Sequence, residues 1–295
     1  MPLTTIESIA ALRALLDARR AAGASVGFVP TMGYLHAGHA SLMGAASNGA
    51  DVVVASVFVN PLQFAPTEDL EAYPRDLARD TALAEECGVD VLFVPSVEEM
   101  YPEAVRTTVS VSGVSTVLEG RARPTHFDGV ATVVAKLFAI VGPCRAYFGE
   151  KDFQQLAVIR QMVRDLSIPV EVVGCPTVRE PDGLAMSSRN AYLTPEERAA
   201  APVVHDALEQ GRLTVLDGAR DAATVRAVML ARLAEEPLGV VDYAEVVDAG
   251  TFEVPDPLQG TLRLLAAVRF GRARLIDNVG VEVGGALASN PVDSA

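Results

Sequence analysis

SVGFVP (Ser25–Pro30) runs without a break into TMGYLHAGH (Thr31–His39), and the fold is decided by how this stretch is read. The first six residues are an apolar run with β-branched members, which reads as a short buried strand. Gly33 marks a turn, and a helical pattern starts at about Leu35. Strand, tight turn and helix in immediate succession are the opening of a β–α–β unit.

The same alternation continues downstream. Asp51–Asn60 and Asp90–Pro95 read as strands, and so do Ala146–Gly149 and Pro169–Gly174. Between them, Leu70–Cys87 reads as a helix stopped by Gly88, Gly129–Val141 as a buried helix and Gln154–Leu166 as another helix. Continuous apolar strands separated by helices predict a parallel sheet covered on both faces. In front of it, Ile6, Ile9, Leu12, Leu15 and Leu16 have helical spacing, and Thr4 with Glu7 suggests a capping box. The pattern changes near Thr177. Pro181-Asp182-Gly183 is a turn signal. Thr194, Pro195 and Glu197 mark a helix start, with helices to about Glu236. VDYAEVVD, LRLLAAVRF and ARLIDNV then read as short strands of a second sheet. The expected architecture is α/β: a Rossmann-like parallel sheet with helices on both faces over residues 1–178, and a smaller C-terminal α+β domain over 179–295 that carries the Ser187-Ser188-Arg189 phosphate loop.

Composition excludes several function classes. The 295 residues are 50% hydrophobic, enough for a sizeable core, and carry a formal net charge of -14. So acidic a chain repels phosphate backbones and is not expected to bind nucleic acid. No apolar run approaches the roughly 18 residues of a membrane span. Cys87, Cys144 and Cys175 are odd in number and widely spaced, which fits small buried thiols in a reducing, cytoplasmic setting.

The polar motifs follow strands, where ligands of parallel sheets sit. His36 and His39 lie three residues apart at a helix start, where free N–H groups and the helix dipole attract an anion. A zinc pair is the rival reading, but no third ligand or HExxH pattern accompanies them. Phe148–Gln155 opens another helix: Lys151 offers a point charge, Asp152 an acceptor for ribose hydroxyls, and Gln155 a partner for a hydroxyl or carboxylate. Gln63, after Asn60-Pro61-Leu62, falls at the end of a strand, and Arg123–Gly129 opens the buried helix. Met186-Ser187-Ser188-Arg189 supplies two hydroxyls and a guanidinium suited to phosphates.

The histidine turn resembles the HIGH motif of the nucleotidylyltransferase superfamily, with Met186–Asn190 in the place of its second loop. PTMGYLHAGH, FVNPLQF, YPRD, RPTHFDGV, YFGEKDFQQL and TVREPDGLAMSSRNAYL together resemble the pantothenate synthetase family over residues 30–193. That resemblance implies an AMP-forming ligase that couples pantoate to β-alanine with ATP through a pantoyl adenylate. It implies ATP contacts from Met32, Gly33, Tyr34, Leu35, His36, Ala37, Gly38 and His39, from Gly149, Glu150, Lys151, Asp152 and Val178, and from Met186, Ser187, Ser188 and Arg189. His39 is the implied proton donor to the departing phosphate, assisted by His36 and Lys151. Gln63, Gln155, Asn60 and Arg123 are the implied partners of pantoate and β-alanine. Mg2+ is expected on the phosphates with Asp80 as its protein ligand, and the family resemblance implies a homodimer. Two alternatives differ in class: a HIGH-motif nucleotidylyltransferase acting on another small acid or a phosphorylated substrate, and a non-enzymatic ATP-binding regulator. The first needs extra basic residues for its substrate; the second needs no pair of glutamines at a second pocket.

Overall fold

In a computed structural model that describes residues 3–64, 70, 71 and 73–284, the apolar runs of the first half form six parallel strands. These are β1 (Thr4–Ile6), β2 (Val26–Thr31), β3 (Val52–Val57), β4 (Val91–Phe93), β5 (Cys144–Gly149) and β6 (Val170–Cys175). They lie in the order β1-β4-β3-β2-β5-β6. The accompanying helices are α1 (Ile9–Ala21), α2 (Ala37–Gly49), α3 (Leu77–Glu86), the single turns α4 (Val97–Met100) and α5 (Glu119–Ala122), α6 (His126–Val141) and α7 (Phe153–Asp165). Neighbouring residues of β2 serve opposite faces. Phe28 meets Phe138 of α6 edge-on at 6.5 Å, while Val29 packs with Leu42, Met43 and Ala46 of α2 and Ala84 of α3. Both faces are therefore covered, which is why the central strands β2 and β3 read as near-continuous apolar runs.

The order of the strands places the site. From β2, strands β3 and β4 add on one side and β5 and β6 on the other. The strand order thus reverses between β2 and β5, and the carboxyl ends of such a pair flank an open crevice.

Two expectations need correction. Thr4 and Glu7 do not cap a helix: Thr4–Ile6 is a strand paired in parallel with Val91–Phe93. Its β-branched residues suit the pleat. The helix begins at Ile9, where the Ser8 hydroxyl accepts from the Ala11 N–H at 3.2 Å. The helix expected from Leu70 begins at Leu77, because Asp76 is its N-cap and accepts from the Arg79 N–H at 3.1 Å.

The chain divides into two compact units: residues up to Arg179 with Met186–Ser188, and Glu180–Ala185 with Arg189 onward. The second unit contains α8 (Pro195–Ala200), α9 (Val203–Leu216) and α10 (Ala222–Ala234). With them is an antiparallel sheet β7-β8-β9 (Gly239–Asp248, Gly260–Phe270, Ala273–Val283). Thr194 and Glu197 form the expected capping box, with Pro195 in the first turn. The strands are longer than expected, at 10, 11 and 11 residues. Their inner face packs Leu264 and Phe270 with Leu208, Val225 and Met229.

Candidate active site

The histidine turn leaves the sheet at the end of β2 and is fastened by one carboxylate. Asp80, buried on α3, accepts the Tyr34 N–H at 2.8 Å on Oδ2 and the Leu35 N–H at 2.6 Å on Oδ1. The Thr31 hydroxyl accepts from the Gly33 N–H at 3.1 Å. Gly33 has φ 83°, and a Cβ there would stand 2.9 Å from Val57 Cγ1 and 3.0 Å from Asp80 Oδ2, so glycine is required. Asp80 is the residue expected to bind magnesium, and both of its oxygens also hold the turn. Among the described residues there is no group of three or more His, Cys, Asp or Glu placed to hold a metal ion.

His36 is the N-cap of α2, an unusual residue for that position. Its Nδ1 accepts from the Gly38 N–H at 3.1 Å, and His39 Nδ1 accepts from the His36 N–H at 3.3 Å. The two rings sit 4.2 Å apart. Burial brings His36 down to about 4, helped by the Lys151 ammonium and Arg79 and opposed by Asp152. Burial, then His36 itself, brings His39 down to about 3, again opposed by Asp152. Both rings are therefore neutral at pH 7. A neutral imidazole carries one proton, and both Nδ1 atoms are acceptors, so each proton is on Nε2. The pair offers two Nε2–H donors with the tautomer fixed by the backbone. Lys151 reaches this group from β5, on the other side of the switch point, with its ammonium 3.9 Å from Asp152.

A second polar group lies at the end of β3. Asn60 caps a 3₁₀ turn over Pro61–Gln63. Its Nδ2 donates to the Gly129 carbonyl at 3.1 Å and to Gln63 Oε1 at 3.2 Å, and its Oδ1 accepts from Leu62 N–H at 3.3 Å and the Tyr101 hydroxyl at 2.9 Å. Gln63 Nε2 lies 3.0 Å from Met32 Sδ, so this group adjoins the histidine turn. Arg123 donates to the Gln63 carbonyl at 3.4 Å, and His126 Nδ1 is 3.1 Å from the same oxygen. Met32, Gln63, Asn60 and Arg123 are thus brought together.

Gly149 ends β5, and Glu150–Asp152 form a 3₁₀ turn leading into α7. Gln155 is part-buried on that helix, whereas its neighbour Gln154 is fully enclosed. Gln154 accepts from the Glu119 N–H at 3.1 Å and donates to the Val114 and Val117 carbonyls at 2.7 and 2.8 Å, which ties down the loop leading to Arg123. Met186 N–H donates to the Val178 carbonyl at 2.9 Å, and Met186 Cβ lies 3.9 Å from where a Cβ on Gly38 would stand. The loop expected in the C-terminal domain is therefore divided: Met186, Ser187 and Ser188 belong with the first unit, and only Arg189 belongs to the second. Sequence reading missed Gln154, Tyr101 and Arg79, whose guanidinium sits 5.2 Å from the Tyr34 ring centre. The spacing of Arg79 and Asp80 on a helix start gave no signal that both serve a turn some 45 residues earlier.

Comparisons with known proteins place the chain in a family. A profile of the pantoate-β-alanine ligase family matches residues 4–280. The pantothenate synthetase of Acetivibrio thermocellus is 51% identical over 281 residues, covering 95% of this chain and 100% of that protein. The crystal structure of pantothenate synthetase from Thermus thermophilus superposes with a TM-score of 0.89 at 52% identity, over 94% of this chain and 99% of that one. A pantoate-β-alanine ligase from Francisella tularensis, crystallised with β,γ-ATP and β-alanine, gives a TM-score of 0.77 at 33% identity, over 94% and 97% of the two chains.

Proposed function

The chain belongs to the pantoate-β-alanine ligase family, and we propose that it condenses pantoate with β-alanine through a pantoyl adenylate, releasing AMP and pyrophosphate. The observation that carries this reading is the pairing of two sites at one crevice. A helix start capped by two neutral histidines stands beside Lys151, and the Asn60–Gln63 group touches Met32 in the same turn.

A carboxylate is a poor acyl donor because its oxide leaves badly. Transfer of AMP to that oxygen turns it into a good leaving group, and the amine of β-alanine then displaces AMP. The protein's part is to hold the carboxylate in line with the α-phosphorus and to stabilise charge on the phosphates. His36 and His39 serve phosphate oxygens as Nε2–H donors, and the α2 N-terminus and Lys151 add positive potential. In this form His39 donates a hydrogen bond rather than a whole proton, because its neutral ring holds one proton on Nε2. Gln63, Gln155, Asn60 and Arg123 take the acid; Gly149–Asp152, Val178 and Met186–Ser188 take the nucleotide. Magnesium enters this reading with the ATP phosphates. Among the described residues no group of three or more His, Cys, Asp or Glu is placed to cage it.

The proposal includes a homodimer in the cytoplasm; among the described residues, no helix is long and apolar enough to cross a membrane. The direct assay is AMP formation that requires pantoate, β-alanine and ATP together. AMP formed without β-alanine at the full rate would show hydrolysis, and no AMP with any combination would end the reading.

A further inference from the structure

The acid-binding group leans on a residue outside every recognised motif. We propose that Tyr101 is a positioning residue for acid recognition: its hydroxyl fixes Asn60, and Asn60 in turn holds the Gln63 amide with its NH2 group, rather than its carbonyl, toward Met32 and the crevice. The inference rests on the reading of Gln63 as an acid-binding residue.

The orientation of each amide follows from groups that cannot change role. Leu62 N–H can only donate, so its partner 3.3 Å away is Asn60 Oδ1; the Gly129 carbonyl can only accept, so its partner at 3.1 Å is Nδ2. The second Nδ2 hydrogen goes to Gln63 Oε1 at 3.2 Å. Gln63 is left with Nε2 as its outward atom, 3.0 Å from Met32 Sδ. A thioether is a weak acceptor, and a carboxylate is a strong one that cannot donate. An incoming acid therefore gains from a Gln63 that presents N–H and is repelled by one that presents C=O.

Tyr101 makes the shortest contact in this set, 2.9 Å to Asn60 Oδ1, across 41 residues of sequence. Burial lifts its phenol to about 12, so it stays an O–H donor at working pH. Its ring is braced by the edge of Phe58 at 5.9 Å, two residues before Asn60, and by the Lys136 ammonium at 5.2 Å. Without the hydroxyl, the fully buried Asn60 keeps one long bond on Oδ1, from Leu62. Leu62 N–H and the Gly129 carbonyl still decide which way round the Asn60 amide lies, but the side chain loses its shortest tether, and the Gln63 amide that it holds is placed less firmly.

The test is Tyr101→Phe, read by pyrophosphate–ATP exchange without β-alanine. Loss of one buried hydrogen bond predicts a rise of roughly 5-fold or more in the KM for pantoate. The KM for ATP should stay within about twofold and kcat near wild type, with Tm lower by a few degrees. In a Gln63→Ala background the tyrosine substitution should add nothing further to the pantoate KM, because the two act as one unit. An unchanged pantoate KM, an equal rise for ATP, or a full effect retained in the Gln63→Ala background overturns the role of Tyr101. A wild-type enzyme with no pantoate-dependent exchange overturns the proposed function instead, so the two failures are distinct.

Discussion

Replacing Asp80 by asparagine separates the two roles this carboxylate can play. In the structure it accepts the Tyr34 N–H at 2.8 Å and the Leu35 N–H at 2.6 Å while buried on α3. Hydrogen bonds to a charged group contribute about 1.5–3 kcal/mol each. Asparagine keeps one acceptor oxygen and sets an NH2 group against the other buried N–H. One bond is lost and a donor is left facing a donor, a cost of about 2–4 kcal/mol. At roughly 2–4 °C per kcal/mol, the thermal midpoint should fall by about 5–15 °C. The turn that places His36 and His39 loosens at the same time, so the KM for ATP should rise several-fold. Circular dichroism gives the midpoint, and a magnesium titration of pyrophosphate–ATP exchange gives the metal requirement. The half-saturating magnesium concentration should not move by more than about twofold. A variant that melts with the wild type but needs ten times more magnesium would show that Asp80 is a metal ligand and that the turn does not depend on it.

His39→Ala removes an Nε2–H donor and should slow adenylation on the order of 10²-fold, as read by pyrophosphate release in a single turnover, with a loss of about 1 kcal/mol of stability from the hydrogen bond at the start of α2; release within a few-fold of wild type refutes the role. The acid side of the stability profile carries a second signature. His36 and His39 titrate near 4 and 3 when folded and near the ordinary 6.5 when unfolded. Above 6.5 both states are neutral and nothing is lost; as pH falls below 6.5 the unfolded chain binds protons that the fold refuses. Stability should therefore drop by about 1 kcal/mol per histidine at pH 5.5. Melting curves at pH 7.5 and 5.5 should show a smaller drop in His39→Gln than in wild type, and an equal drop contradicts the assignment.

What the sequence revealed follows from where the information is local. The strands β2 and β3 are near-continuous apolar runs, β5 and β6 are broken only by Arg145 and Glu171, and the histidine turn, Asn60–Gln63 and Gly149–Asp152 follow β2, β3 and β5, so the sheet and the crevice were both readable. Gly88, with φ 79° just past α3, and the Thr194–Glu197 capping box are also local signals, and both stand. β1 escaped because three residues define a strand only through a partner, here Val91–Phe93. Asp80 was recognised as important, but its hold on the histidine turn was not, because nothing in a helix start announces a backbone turn 45 residues away. Tyr101 and Gln154 were invisible for the same reason: Tyr101 meets Asn60, and Gln154 meets Val114 and Val117, across stretches with no periodicity linking them. Local pattern carries the scaffold and the reacting groups; the residues that orient those groups are set by tertiary contact.

Pyrophosphate–ATP exchange with pantoate present and β-alanine absent tests the central claim most directly. A crevice that joins a phosphate-binding helix start to an acid-binding amide should transfer AMP to the acid before any amine arrives. Labelled pyrophosphate should therefore enter ATP when pantoate is added, at a rate comparable with overall turnover, and not when it is omitted. Exchange that appears only once β-alanine is supplied, or that proceeds without any acid, would contradict a stepwise pantoyl adenylate.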